Sequence, residues 1–146
     1  MLQGGKKRIA QLGIGTVIFA VTFVISYFAV QFLFFDNGNP AAKMKEAAAD
    51  INANSPQLVD QFTRLDSVTA VADKSFRYHY TLFQYSKEEI NLDTVNKYVR
   101  PGIIERVKTH PEMEFFRENE IIVSYLYYDK NGELVTSINV TPDMYK

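Results

Sequence analysis

An uncharged stretch near the amino terminus, Ile9–Phe35 (IAQLGIGTVIFAVTFVISYFAVQFLFF), decides how this chain is organised. It contains no Asp, Glu, Lys or Arg and is rich in Ile, Val, Phe and Leu. A helix rises about 1.5 Å per residue, so a helix of this length exceeds the hydrocarbon core of a bilayer, which is about 30 Å thick. The stretch therefore predicts a single transmembrane helix over residues 9–35.

The same stretch is too long for a cleaved signal peptide, whose apolar region is usually about 7–15 residues. It also ends in the bulky pair Phe34-Phe35, whereas signal peptidases cleave after small residues. We therefore expect the segment to be retained as a membrane anchor.

Three basic residues directly precede the anchor: Lys6, Lys7 and Arg8. Lys and Arg remain on the cytoplasmic side of a membrane, so residues 1–8 are predicted to be cytoplasmic. The carboxyl-terminal part is then periplasmic, and the protein is a single-pass protein of a bacterial inner membrane.

Four small residues share one face of the predicted transmembrane helix and form a candidate transmembrane interface: Gly15, Thr22, Ser26 and Ala29. A stripe of small residues lets a second helix approach closely, which would produce an oligomer. The alternative is that an anchor of this length contains some small residues by chance.

Composition excludes several classes of function. Residues 36–146 carry 13 basic and 17 acidic residues, hence 13 − 17 = −4, and an acidic domain is poorly suited to nucleic acid. The chain has no Cys, so disulfides, thiolate metal sites and a thiol nucleophile are excluded. His79 and His110 have no acidic or His partner at ligand spacing, so we expect no metal, no cofactor and no catalytic role.

Beyond the anchor, residues 36–40 (DNGNP) are rich in turn formers and predict a juxtamembrane linker. An Ala-rich helix is predicted from Ala41 to Asn54, followed by two alternating β-rich runs that form a hairpin. A second helical segment runs from Ser86 to His110 and is interrupted at Pro101-Gly102.

A second hairpin follows, because Asn131-Gly132 separates two β-rich runs and both residues tolerate positive φ. The order helix, hairpin, helix, hairpin predicts an α+β domain over residues 41–146. It would consist of a four-stranded antiparallel sheet with helices packed on one face.

Four tyrosines share one alternation phase within their strands and are the candidate partner-binding residues: Tyr78, Tyr80, Tyr125 and Tyr127. Tyr is amphipathic and common at binding surfaces, so a row of tyrosines on a sheet could hold a partner. The alternative is that they fill the core between sheet and helices, because aromatic residues favour strands in any case.

Three segments together resemble a family of small exported or membrane-anchored bacterial domains of unassigned activity. They are Phe62–Val68 (FTRLDSV), Tyr78–Leu82 (YHYTL) and Tyr127–Gly132 (YYDKNG). The resemblance implies an α+β fold and supplies no catalytic residue. It also implies cysteines near Thr109 and Met144 in some relatives, and a disulfide at that place is absent here. Pilotins, which help secretion channels to assemble, are similar in size and location only.

These observations lead to two hypotheses for function. In the first, the periplasmic domain binds another protein as an adaptor, assembly factor or exclusion factor. In the second, it is a tethered binding module for a small ligand, a peptide or a cell-wall fragment. A deep pocket lined by the four tyrosines would favour the second hypothesis, and a flat exposed apolar patch would favour the first.

Overall fold

The computed structural model describes residues 39–72 and 74–146. The predicted transmembrane helix, with its candidate interface at Gly15, Thr22, Ser26 and Ala29, lies outside the described residues, as does most of the predicted linker. In the two described ranges, every helix is too short or too polar to cross a bilayer.

Along the described chain, one helix is followed by three strands, a group of short helices, two strands and a final short helix. The helices are α1 (Pro40–Ala53), α2 (Leu92–Thr94), α3 (Arg100–Thr109), α4 (Glu114–Glu118) and α5 (Pro142–Tyr145). The strands are β1 (Gln57–Leu58), β2 (Thr63–Val71), β3 (Ser75–Leu82), β4 (Ile122–Asp129) and β5 (Leu134–Val140). Short 3-10 turns occupy Lys87–Glu89 and Pro111–Met113, and one π-helical turn spans Val95–Val99.

The prediction of a four-stranded antiparallel sheet was wrong in two respects. The sheet has five strands in the order β1-β2-β3-β4-β5, and the central pair β3–β4 is parallel. Both predicted hairpins, β2–β3 and β4–β5, are present and antiparallel. The fold is therefore α+β with a mixed sheet.

The crossover between the hairpins explains the parallel pair. Strand β3 ends at Leu82, and β4 begins beside the start of β3, where Ile122 pairs with Ser75. The intervening helical segment thus runs the length of the sheet before β4 begins, and parallel neighbours need such a crossover. The additional strand that the sequence did not predict is β1. It has only two residues, and a strand this short shows no alternation of apolar and polar residues.

Helix α1 confirms the Ala-rich helix predicted after the linker. The Asn39 side chain accepts a hydrogen bond from the Ala41 N–H at 3.0 Å, and Pro40 is the first helical residue. The buried residues of α1 are Met44, Ala47, Ala48 and Ile51, which recur at helical spacing. Asn52 joins this helix to β2, since its amide donates to the Val68 carbonyl and accepts from the Val68 N–H.

The second predicted helical segment, from Ser86 to His110, is not one helix with a single break at Pro101-Gly102. It consists of several short helical elements. Ser86 does form the expected capping contact, because its N–H donates to the Glu89 carboxylate at 2.7 Å, yet it caps only a 3-10 turn. The helix proper begins after Asn91, whose side chain accepts from the Thr94 N–H. The π-helical turn ends at Val99, two residues before Pro101, which has no N–H to donate.

The predicted hairpin turn at Asn131-Gly132 joins β4 to β5, and of these two residues only the glycine has positive φ. Gly132 has φ +80°, and the Asp129 carboxylate accepts the N–H groups of Asn131 and Glu133, each at 2.8 Å. The same carboxylate accepts the Lys87 N–H at 3.0 Å, which ties the crossover to the hairpin. These backbone donors, with Glu133 first, hold the pKa of Asp129 below its usual value.

Gly132→Val is expected to destabilise the protein by about 1 kcal/mol or more through backbone strain alone. No atom lies within 4 Å of the position that a Cβ would take, so crowding does not contribute. Urea unfolding followed by circular dichroism would measure the loss. Gly132→Asn is the matched control, because Asn tolerates positive φ, and it should cost less than the valine variant. Equal losses for both variants would contradict this explanation.

Candidate functional site

The four candidate tyrosines lie in the core, between the sheet and the helices. Tyr78, Tyr80, Tyr125 and Tyr127 are each at most 2% exposed. The parallel pairing of β3 and β4 stacks the Tyr78 ring on Tyr125 (5.3 Å between centroids) and the Tyr80 ring on Tyr127 (5.1 Å). The structure thus brings the four together as a packed block of rings, and burial raises the pKa of each hydroxyl.

Two of these tyrosine hydroxyls are buried without a hydrogen-bond partner among the described residues: those of Tyr80 and Tyr127. Burial of an unpaired hydroxyl costs free energy, so these groups do not contribute stability through hydrogen bonding. A partner that docks on the surface of this structure would not touch the four rings. A candidate site must therefore be sought among other residues.

The opposite face of the sheet carries no helix of the described chain. The helices pack on the face that holds the tyrosines, whereas the outward side chains of β2–β5 are partly buried or exposed, apart from the small buried residues Ser75 and Ser124. Strand register arranges these side chains in three cross-strand rows: Val71, Ser75 and Ile122; then Thr69, Arg77, Ser124 and Asn139; then Ser67, His79, Leu126 and Ser137. We call this surface the open face.

A shallow groove of about 520 Å³ runs across the open face. Its lining contains residues from four strands and one from the chain after β5: Val71, Ser75, Arg77, Ile122, Ser124, Leu126, Ser137, Asn139 and Thr141. Apolar side chains and hydroxyls alternate along it, and Arg77 is its charged member. Such a mixed, partly apolar concavity is typical of a surface that another molecule covers.

Arg77 is exposed and has no ion pair with any described residue. Asp66, on the neighbouring strand β2, does not pair with Arg77. Asp66 instead bonds to Arg64 on its own strand, at 2.5 Å, and accepts the Thr81 hydroxyl. The Arg77 guanidinium therefore remains available on the open face.

His79 lies beside Arg77 on the open face and stacks on Tyr128, with ring centroids 6.2 Å apart. Its Nε2 lies 3.1 Å from the Thr69 hydroxyl. Partial burial, together with the Arg77 guanidinium, lowers the pKa of His79 below its usual value, and Asp66 opposes this shift. His79 is therefore a neutral aromatic group of the open face at neutral pH.

His110, the other histidine, lies far from the open face at the end of α3. Its Nδ1 is 3.3 Å from the Glu112 carboxylate, which is also 3.9 Å from the Arg106 guanidinium. These contacts join the end of α3 to the turn that follows it. Across residues 39–72 and 74–146, no group of three His, Cys, Asp or Glu side chains is placed to hold a metal ion.

The sequence did contain the residues of the open face, as the polar phase of each alternating strand. The sequence pattern does not single them out, because polar alternation is the ordinary pattern of a solvated sheet face. Only the pairing of β3 with β4 places Arg77 beside Ser124, since these residues lie on different hairpins. The signal that could have found the site is the aromatic and aliphatic content of that polar phase, at Leu126 and Tyr128.

The sequence pattern of one known family matches residues 40–136, which is more than half of the chain. The chain belongs to the family "Domain of unknown function (DUF8479)". The match begins at the first residue of α1 and ends within β5, so it includes the part of the open face on β2, β3 and β4 but not Ser137 and Asn139. Membership agrees with the expected resemblance to a small α+β domain of unassigned function.

Solved structures similar to this DUF8479 chain share its fold at low sequence identity. One is a putative secreted protein from Pseudomonas aeruginosa, with a TM-score of 0.61 and 11% identity over 73% of this chain and 93% of that protein. Another is a pilotin from the Vibrio vulnificus type 2 secretion system, with a TM-score of 0.50 and 8% identity over 73% and 92% of the two chains. No curated protein matches the sequence. At such identities the likeness concerns the fold alone.

Proposed function

We propose that this DUF8479 chain is a single-pass protein of the bacterial inner membrane whose periplasmic domain binds another protein through the open face. It acts as an adaptor, assembly or exclusion factor and not as an enzyme. The observation that carries the proposal is the groove of about 520 Å³ whose lining includes Arg77, an exposed residue without an ion pair to any described residue. The uncharged stretch Ile9–Phe35 and the basic cluster before it support the location.

The structural neighbours support an extracytoplasmic location and a protein partner. One of them is named as secreted and the other as a pilotin of a secretion system. The shape of the site favours a macromolecule over the alternative of a small ligand, because the groove lies open on a sheet face and the four tyrosines are buried in the core. A ligand of drug size is usually enclosed over most of its surface.

Photo-crosslinking in living cells tests the proposal. A photoreactive amino acid at Leu126, on the floor of the groove, is expected to form a covalent adduct with a second protein. The same amino acid at Glu46, on the exposed side of α1, is the matched control and should give no adduct of that mass. Mass spectrometry would then identify the crosslinked peptide.

Three other outcomes would contradict the proposal, and the mass of the product separates them. An adduct of twice the mass of this chain would show that a second copy covers the open face. A crosslinked product with the mass of a single chain would show that a segment of the same chain covers the open face. Equal labelling at Leu126 and Glu46 would show random collisions in the envelope.

A further inference from the structure

The open face carries one charge that the described residues do not balance. Arg64 and Asp66 compensate each other, and His79 is neutral at neutral pH because partial burial and Arg77 lower its pKa. Arg77 therefore gives this face a positive centre. The surrounding domain has the opposite sign, since residues 36–146 carry a formal charge of 13 − 17 = −4.

The neighbours of Arg77 in its cross-strand row can all donate hydrogen bonds. Ser124 lies beside it on β4 and is 4% exposed, so its hydroxyl lies at the floor of the groove. Asn139 follows on β5, and its side-chain oxygen already accepts the Ser137 hydroxyl at 3.3 Å. The amide group of Asn139 is thus left to donate, because an amide nitrogen cannot accept.

Apolar side chains flank this donor row on both sides. Val71 and Ile122 precede it, and Leu126 and Tyr128 follow it along the strands. From Ile122 to Leu126 the strand rises about 13 Å, at about 3.3 Å per residue. The groove therefore has the length of about four extended residues, with a polar centre between two apolar ends.

We infer that the open face recognises a partner segment that places a carboxylate against Arg77, Ser124 and Asn139 and apolar side chains at the two ends of the groove. The inference rests on the proposed protein-binding function and names the chemistry of the partner. A guanidinium matches a carboxylate with two parallel N–H···O bonds, and Ser124 and Asn139 supply further donors. The rest of the domain is acidic and repels an acidic segment. The positive charge of Arg77 therefore directs such a segment to the open face and disfavours basic partners there.

Charge reversal at Arg77 tests the inference in the full-length protein. With the photoreactive amino acid at Leu126, Arg77→Glu is expected to lower the adduct yield about tenfold or more, because two carboxylates would then face each other. Arg77→Lys keeps the charge but loses the two-bond geometry, so its yield should lie between those of the wild type and Arg77→Glu. Lys45→Glu, on the exposed surface of α1, makes the same charge change elsewhere and should leave the yield unchanged.

The crosslinked peptide provides a second readout. It is expected to contain an Asp or Glu within a few residues of the attachment point, and changing that residue to Arg should restore the adduct with Arg77→Glu. Thermal unfolding of purified Arg77→Glu should match that of the wild type, since Arg77 is exposed and has no ion pair with a described residue. If Arg77→Glu unfolds early, Arg77→Gln replaces it and should still lower the yield.

The two proposals fail in different ways. If the wild-type adduct forms and Arg77→Glu leaves its yield unchanged, the carboxylate inference is wrong and the protein-binding function stands. If no adduct forms at Leu126 in the wild type, the proposed function is wrong and the inference falls with it. A crosslinked peptide without an acidic residue would also overturn the inference.

Discussion

Tyr80→Ala is expected to lower the free energy of unfolding by about 3–5 kcal/mol. Tyr80 is fully buried, and its ring stacks on Tyr127 at 5.1 Å and lies 6.3 Å from Tyr78. Removing the ring leaves a cavity beneath the helices, and the lost contacts and the cavity both count against the folded state. Urea unfolding followed by circular dichroism would measure the change.

Tyr80→Phe is the matched control, because it removes only the hydroxyl. That hydroxyl has no hydrogen-bond partner among the described residues, so its loss should leave stability within about 1 kcal/mol of the wild type or raise it. The variant should also keep the Leu126 adduct at wild-type yield. A large loss of stability would show that the hydroxyl has a partner, and a loss of the adduct alone would revive the hypothesis that the tyrosines contact the partner.

A reporter enzyme that is active only outside the cytoplasm is expected to be fully active when fused after Lys146. A reporter active only inside the cytoplasm should be silent at the same position. The physical reason is that Lys6, Lys7 and Arg8 remain on the cytoplasmic side of the apolar stretch Ile9–Phe35. Replacing these three residues by Glu should sharply reduce the activity of the external reporter.

Lys43 and Lys45, on α1, form the control for that experiment. They follow the apolar stretch and oppose the predicted orientation, so replacing them by Gln should keep or strengthen the external signal. A silent external reporter on the wild-type protein would refute the orientation and the periplasmic location of the domain. It would leave the description of the fold unchanged.

Local elements were predictable from the sequence because neighbouring residues decide them. The periodic burial of Met44 and Ile51 in α1 follows from their spacing. The positive φ of Gly132 follows from the requirement of an Asn-Gly turn. Both hairpins follow from alternation with a short polar break between the strands. Contacts between residues that are close in the sequence can be predicted without knowing how the rest of the chain folds.

The sequence left open whether the four tyrosines form the core or a binding surface. The helices cover the face of the sheet that carries the tyrosines, and this places them in the core. Alternation separates two faces of a strand but does not say which face is inside when both contain aromatic residues. Tyr78 and Tyr128 illustrate this, since they lie on opposite faces and the structure buries only Tyr78.

The sequence by itself determined the uncharged stretch, the α+β class and the two hairpins of this protein. Only the tertiary structure decided that the hairpins join through a parallel pair, with Arg77 beside Ser124 on the open face. The physical reason is that this pairing joins residues 47 positions apart, which are neighbours only after the crossover has run the length of the sheet. Local patterns contain no information about such a contact, so the groove and the position of Arg77 in it follow from the fold.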